Sequence, residues 1–536
     1  MTSFTAVGPA IDAAEQSGMA YVHAIDSVQL SSETVADALT RTAGEYPGNR
    51  GLAWLTDSGL ASMTWGEIYA RSSAVAATLQ VINPTNARVA LVAPNSVDWV
   101  IAMFGSALAG VAAVPMSPFA TEHEARHMLS QTRVGVILVP DSVGGHPVGD
   151  HMRRVAEGLT PRPVVRSISD LPGTPGKPRP SGAQPDNEFL VQHTSGTTGL
   201  PKAASLSHRA VLNSARLYAE AVGARIGDTW LNPLPLHHVG GSVCGPLTAL
   251  GIAGTYVVVE RFSPQVAIRA VREAQPALLG LVPTMLLDLL AEPGVSEVDF
   301  RSVRTVISGA TTVDPRLIDE TERRLGIRFL VAYGQSEAPC MTASFDSDPI
   351  AIRTRTLGHP LPGRDYYIAD RAGAVVETGS VGELCVRGPL TMAGYLRADG
   401  TFDPAASDHG WRHTGDLCSM DDDGVLAFRG RLREVIIRGG SNIYPAEVEQ
   451  AMTGHDAISE IAVFGVPDER LGERVVAAVI PKPGKVADPA DLASFAQTRL
   501  SRQKRPTAWF IVDDFPRTST GKVRKHLLLE QFHAEA

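Results

Sequence analysis

Residues 193–202 read His193-Thr194-Ser195-Gly196-Thr197-Thr198-Gly199-Leu200-Pro201-Lys202 and follow an apolar run, Phe189-Leu190-Val191. Glycines let successive backbone N–H groups converge, and convergent N–H groups with hydroxyls suit a polyphosphate. Lys202 adds a point charge at the rim. The spacing is not that of the common nucleotide-triphosphate loop, because Leu200 and Pro201 separate Gly199 from Lys202. Taken alone, a loop of this composition is more often a flexible turn. What outweighs that reading is a series of six further segments. In chain order they are Pro235-Leu236-His237-His238-Val239-Gly240-Gly241, Ser308-Gly309-Ala310, and Tyr333-Gly334-Gln335-Ser336-Glu337. His413-Thr414-Gly415-Asp416-Leu417 follows, then Gly430-Arg431-Leu432-Arg433-Glu434 leading to Gly439-Gly440-Ser441-Asn442-Ile443-Tyr444-Pro445. Pro516-Arg517-Thr518-Ser519-Thr520-Gly521-Lys522 is last.

Such groups need a scaffold to hold them, and the apolar pattern supplies one. Between about residues 88 and 140, strand-like runs (88–93, 111–114, 134–139) alternate with helical stretches opened by Ser96 and Thr121. That alternation predicts layered α/β structure with parallel sheet. Further strands are expected at 231–236, 256–259, 277–282, 305–308 and 328–332, with the same pattern continuing to about 430. Residues 171–186, rich in Pro and Gly, read as a surface loop. Beyond 445 a short helix, strands at 458–464 and 474–480, a helix at 487–500 and a strand at 508–512 make a small α+β unit. The expected architecture is therefore α/β: a large layered N-terminal domain with twisted sheets (1–432) and a small α+β C-terminal domain (433–536) joined by a hinge.

Composition narrows the function. At 536 residues, the chain is long enough for more than one core. A formal net charge of −9 argues against a general nucleic-acid binder. Residues 433–536 hold fourteen Lys/Arg against fourteen Asp/Glu, so the acidic excess lies in the larger part. Cys244, Cys340, Cys385 and Cys418 lack metal-type spacing and read as reduced core thiols of a cytoplasmic protein. No apolar stretch has the length of a membrane span. Residues 1–29 carry Asp12, Glu15 and Asp26 without Lys or Arg, which is not the charge of a signal peptide.

In this order the seven segments resemble those of the adenylate-forming superfamily: acyl-CoA synthetases, peptide-synthetase adenylation domains and beetle luciferases. The likeness spans nearly the whole chain beyond about the first 30 residues. It implies attack of a carboxylic acid on the α-phosphate of ATP, giving an acyl-adenylate and pyrophosphate, with Mg2+ present. It further implies that Thr194, Ser195, Gly196, Thr197, Thr198, Gly199 and Lys202 wrap the phosphates, that Tyr333 stacks on the adenine, and that Ser308, Gly309, Ala310 and Gly334 also belong to the ATP/AMP site. Ser336 would reach the α-phosphate, Glu337 with Thr197 would hold Mg2+, and Asp416 beside Arg431 would accept the ribose hydroxyls. Lys522 would bridge carboxylate and α-phosphate, and Arg433 would be the hinge about which the small domain turns. His193, Ala203, Ser336 and Arg433 depart mildly from the residues commoner at their places. His238 fits a position between acyl pocket and thiol tunnel, or a satisfied buried histidine.

The acyl pocket implied by the resemblance comprises His237, Val239, Ser242, Val243, Met285, Thr311, Ala338, Cys340 and Met341. Nothing there would bind the amine of an amino acid, so an aryl or medium-chain aliphatic acid is expected. Gly439 and Gly440 sit in a stretch close to that of coenzyme A ligases, which makes coenzyme A the leading acceptor. Arg502, Lys504 and Arg505 suit either its phosphates or a solvated charge run. A carrier-protein thiol or an amine as acceptor, or a light-emitting or degenerate relative, are the alternatives; the intact Glu337, Asp416, Arg431 and Lys522 oppose degeneracy.

Overall fold

The computed structural model describes residues 18–83, 88–171, 178–194, 201–295, 300–309, 313, 315–403, 410–439, 441–468, 470–517 and 523–535. An eight-stranded and a nine-stranded sheet dominate the first 360 residues. Strand Arg88–Val92 pairs in parallel with Ala112–Met116 and Val136–Val139. In the other sheet Thr229–Leu231, Thr255–Val258, Leu278–Gly280, Thr305–Gly309 and Arg328–Tyr333 lie parallel.

Both sheets are covered on two faces, which is why their strands read as unbroken apolar runs. Val89 and Leu91 point into the core between the sheets, while Ala90 and Val92 point to the outer helices. Helices Trp65–Ile82, Val97–Ala109 and His208–Ala221 fill the middle layer through Trp65, Trp99, Phe104 and Tyr218. The caps expected at Ser96 and Thr121 form: Ser96 accepts from Trp99 N, and Thr121 makes a reciprocal pair with Glu124.

Three expectations need correction. The strand expected over 231–236 ends at Leu231. Pro233 and Pro235 cannot donate to a ladder, and Asn95 captures the freed backbone instead. Its Nδ2 donates to Pro233 O and Leu234 O, and its Oδ1 accepts from Leu236 N. The α/β alternation also stops well before residue 430. Strands Asp365–Ala369, Gly382–Arg387, Arg412–Met420 and Leu426–Arg431 form an antiparallel sheet closed by Tyr21–Val22 from the start of the chain. A helix not anticipated, Lys525–Glu535, follows the last strand.

The C-terminal part has its own sheet, built from Ile436–Arg438, Ser441–Ile443, Ile458–Asp468, Gly472–Pro481 and Ala508–Ile511. Val475, Ala477 and Val479 face helices Pro445–Met452 and Pro489–Arg499. Val476 and Ala478 face Phe464, Phe510, Leu528 and Phe532.

Candidate active site

Thr194, Ser308 and Tyr333 stand at the carboxyl ends of strands from the two large sheets, where open α/β sheets bind ligands, while Asp416 and Arg431 come from the antiparallel sheet. Thr194 ends Glu188–Thr194 and pairs directly with Lys202, which opens Lys202–Ser207. Ser308 and Gly309 end one strand of the nine-stranded sheet, and Tyr333 ends the next. Gly309 has to be glycine, because a Cβ there would lie 2.1 Å from Ala332 O. The Ser308 hydroxyl is buried without a partner among the described residues.

Asp416 is the buried centre of one cluster. Tyr333 Oη donates to its Oδ2 at 2.6 Å and Gln335 Nε2 to the same oxygen at 2.7 Å. Arg431 Nε lies 3.3 Å from Oδ1, set there by direct cross-strand pairing of Asp416 with Arg431. Burial, reinforced by the Asp416 charge, raises the Tyr333 phenol well above its usual range, so it stays a donor. Gly415 takes φ +71°, a left-handed turn, and its N–H donates to Glu383 Oε1 at 2.8 Å.

A second cluster surrounds Glu337. Tyr395 Oη donates to Glu337 Oε1 at 2.7 Å, and the Glu337 carbonyl accepts from Met392 N. The Lys202 ammonium sits 5.1 Å from the centre of the Tyr395 ring, because Tyr395 pairs across from Ala204 on the strand that Lys202 begins. Segment 333–337 thus joins both clusters: Tyr333 reaches the antiparallel sheet, and Glu337 reaches the edge of the eight-stranded one. Buried Ser336 lies between them. One carboxylate oxygen of Glu337 is held by a neutral donor, and no donor among the described residues reaches the other. That is a hard, preset ligand of the kind Mg2+ uses with phosphates and water.

Past the corner made by Asn95, His238 caps the short helix Val239–Ser242. Its Nδ1 accepts from Gly240 N, and its carbonyl accepts from Ser242 Oγ at 3.1 Å. The His237 carbonyl accepts from Gln192 Nε2 at 2.6 Å, while its Nε2 is buried without a partner among the described residues. Burial lowers the His237 imidazole to about 4, so the ring is neutral. Val239, Val243 and Cys340 pack into the core between the sheets, Ser242 is buried beside them, Ala338 and Met341 pack beneath the antiparallel sheet, and Met285 is half-buried on helix Pro283–Ala291. Cys244 and Cys340 bring their sulfurs to 3.3 Å as free thiols.

Several expected site residues lie outside the described ones: Ser195, Gly196, Thr197, Thr198, Gly199, Ala310, Thr311, Gly440 and Lys522. Arg433 is exposed in the single turn Leu432–Glu434, and Gly439 is exposed at φ +56°. Lys504 pairs with Glu447, and Arg505 donates to Leu500 O at the end of helix Pro489–Arg499. Those contacts favour a structural role for both. Gln335 and Tyr395 received no role from the sequence. Gln335 stood within a quoted segment, whereas Tyr395 sits in an unremarkable Gly-Tyr-Leu whose meaning comes only from strand pairing.

A family model described as AMP-binding enzyme matches residues 39–396, and one described as AMP-binding enzyme C-terminal domain matches 447–522. The chain is similar to 3-[(3aS,4S,7aS)-7a-methyl-1,5-dioxo-octahydro-1H-inden-4-yl]propanoyl:CoA ligase of Rhodococcus jostii (strain RHA1), 32% identical over 93% of this chain and 98% of that protein. It is 30% identical to the putative acyl-CoA synthetase YngI of Bacillus subtilis (strain 168) over 83% of this chain and 87% of YngI. The crystal structure of ATP-bound MatB from Rhodopseudomonas palustris superposes with TM-score 0.85 at 26% identity, covering 93% of this chain and 99% of MatB.

Proposed function

This chain belongs to the AMP-binding enzyme family, in the acyl-CoA synthetase branch of the adenylate-forming superfamily, and on that premise we propose the substrates of its two steps. As an AMP-forming acid–thiol ligase, it activates a carboxylic acid before passing it to a thiol. We assign the acid as a neutral aryl or medium-chain acyl acid, the nucleotide as ATP and the thiol as coenzyme A, in the cytoplasm.

A carboxylate repels nucleophiles and has a poor leaving group; joining it to AMP removes both obstacles. The transition state spreads negative charge over phosphate oxygens, so positioning and electrostatics carry the rate. Asp416, held by Arg431, takes the ribose hydroxyls. Lys202 and the hydroxyls of 194–198 meet the outer phosphates. Glu337, braced by Tyr395, would hold Mg2+, which neutralises phosphate charge when bound. Lys522 offsets the repulsion between acid and α-phosphate. His237, neutral and half-buried, lines the acyl side with Cys340 and Met285, which suits an uncharged tail. We place the domain boundary at 432/433, by the exposed residues Leu432 and Arg433, so that the small domain would exchange Lys522 for Gly439 and Gly440 between steps.

The observation that carries this reading is the joining of the Asp416 and Glu337 clusters through segment 333–337. Pyrophosphate release over a panel of acids, with and without coenzyme A, tests it. Acid-dependent release with thioester formed only when coenzyme A is added is expected. Release without thioester, or release stimulated by an amine or a carrier protein instead, would overturn the acceptor.

A further inference from the structure

The antiparallel sheet carries a second set of ligating side chains that adenylation does not use. Glu383 and Cys385 are two residues apart on Gly382–Arg387 and so share a face. Arg412–Met420 runs antiparallel beside them with Cys385 opposite His413, and the ladder bulges between Glu383 and Cys385. The bulge draws the two donors towards one imidazole. His413 Nδ1 lies 2.9 Å from Glu383 Oε2 and 3.4 Å from Cys385 Sγ. All three atoms fall within 4.8 Å of one another. We propose that Glu383, Cys385 and His413 form a binding site for a zinc-class divalent cation.

The distances fit. Bonds of about 2.3 Å to sulfur and about 2.0–2.2 Å to nitrogen and oxygen make tetrahedral edges of about 3.3–3.6 Å. The sulfur–nitrogen separation already has that value, and the nitrogen–oxygen separation needs only a few tenths of an ångström. A thiolate and a carboxylate balance the two charges of the cation, with the imidazole neutral. Thiolate and imidazole select zinc over magnesium, so the metal that accompanies ATP does not compete. Cys385 is buried among Tyr367 and Trp411, whereas His413 is exposed, which leaves the fourth position to water from the solvent side. Metal at Nδ1 would replace the contacts this atom now makes with Glu383 and Cys385, and the Cys385 thiol would give its proton to solvent, with no change in oxidation state. Glu383 keeps its other oxygen on Gly415 N, so the ligand is braced from behind.

The test is titration of the chelator-treated full-length protein with Co2+ and then Zn2+. One Co2+ per chain is expected, with thiolate-to-cobalt charge-transfer absorption that Zn2+ bleaches. Cys385→Ser should abolish that absorption, and exposed His413→Gln should weaken Zn2+ binding by about tenfold or more, while Cys244→Ser changes neither. Thermal melts of the metal-free variants show that each is folded. Absorption that survives in Cys385→Ser, unaltered affinity in His413→Gln, or no absorption at severalfold excess Co2+ would each overturn the site and leave the trio a hydrogen-bonded brace.

Discussion

The Tyr333 hydroxyl donates to Asp416 Oδ2 at 2.6 Å, tying the end of a parallel strand to the antiparallel sheet. Gln335 shares that oxygen and Arg431 faces the other, so the carboxylate is fixed before any nucleotide arrives. Asp416→Asn keeps the shape but loses the charge and one acceptor. KM for ATP should rise about tenfold to a hundredfold, because hydrogen bonds to charged groups are worth about 1.5–3 kcal/mol. The melting temperature should also fall, since Arg431 loses its partner. In Tyr333→Phe, Gln335 and Arg431 still hold the carboxylate, so KM should move only severalfold. Steady-state kinetics over ATP concentration decide between the two.

Tyr395 has a different readout. Its hydroxyl is the neutral donor to Glu337, and its ring lies beneath the Lys202 ammonium. Tyr395→Phe keeps the ring and frees the carboxylate to change rotamer. The Mg2+ concentration for half-maximal pyrophosphate release should shift severalfold, in line with about 1 kcal/mol for one hydrogen bond. Tyr395→Ala should in addition raise KM for ATP, because Lys202 loses its seat. Mg2+ titrations of both variants check this; identical Mg2+ curves would separate Tyr395 from the metal.

Much of this site was legible in the sequence, because motif residues fall at strand ends where apolar runs stop. Ser308 and Tyr333 are examples, whereas Asp416 stands in the middle of Arg412–Met420. Tyr395 was not legible, because its importance arises from pairing with Ala204, about 190 residues away in the chain. The antiparallel sheet escaped for a related reason. Asp365–Ala369 is buried throughout and Arg412–Met420 is buried from Asp416 onward, so neither shows the period-two alternation that marks an antiparallel strand, and Tyr21–Val22, which closes the sheet, is too short to signal a strand. Asn95 ends the strand expected at 231–236 through side-chain bonds that no local pattern records.

Acid should destabilise the chain through its buried histidines. His208 is 2% exposed, stacks on Phe189, and accepts from Val35 N through Nδ1. Burial lowers its pKa from 6.5 to about 4, against a small opposing pull from Asp37. The unfolded chain therefore binds the extra proton between those values. The contribution to stability is complete above about pH 6.5 and is lost as pH falls towards 4, up to about 3 kcal/mol. His193 and His237, also lowered to about 4 by burial, act in the same window. Urea unfolding at pH 7.5 and 5 should show that loss, and His208→Gln should show a smaller difference between the two pH values. An equal difference would remove His208 from the account.

The turn Leu432–Glu434 separates two fixed points. Arg431 faces Asp416 in the cluster with Tyr333 and Gln335, whereas Glu434 pairs with Lys525 at 3.2 Å, and Lys525 also holds Glu449. Exposed Arg433 lies between them, so rotation at this residue leaves both ion pairs intact. Arg433→Pro fixes φ near −65° and removes that freedom. If the small domain must turn between the two steps, adenylation should stay within about twofold while thioester formation from added acyl-adenylate falls by about a hundredfold or more. On the proposed mechanism Lys522→Ala should do the reverse, because its charge would act only where carboxylate and α-phosphate meet. Single-turnover rates for each half-reaction in both variants make the comparison. Equal losses in both halves for Arg433→Pro would mean that position 433 supports the fold and does not act as a hinge.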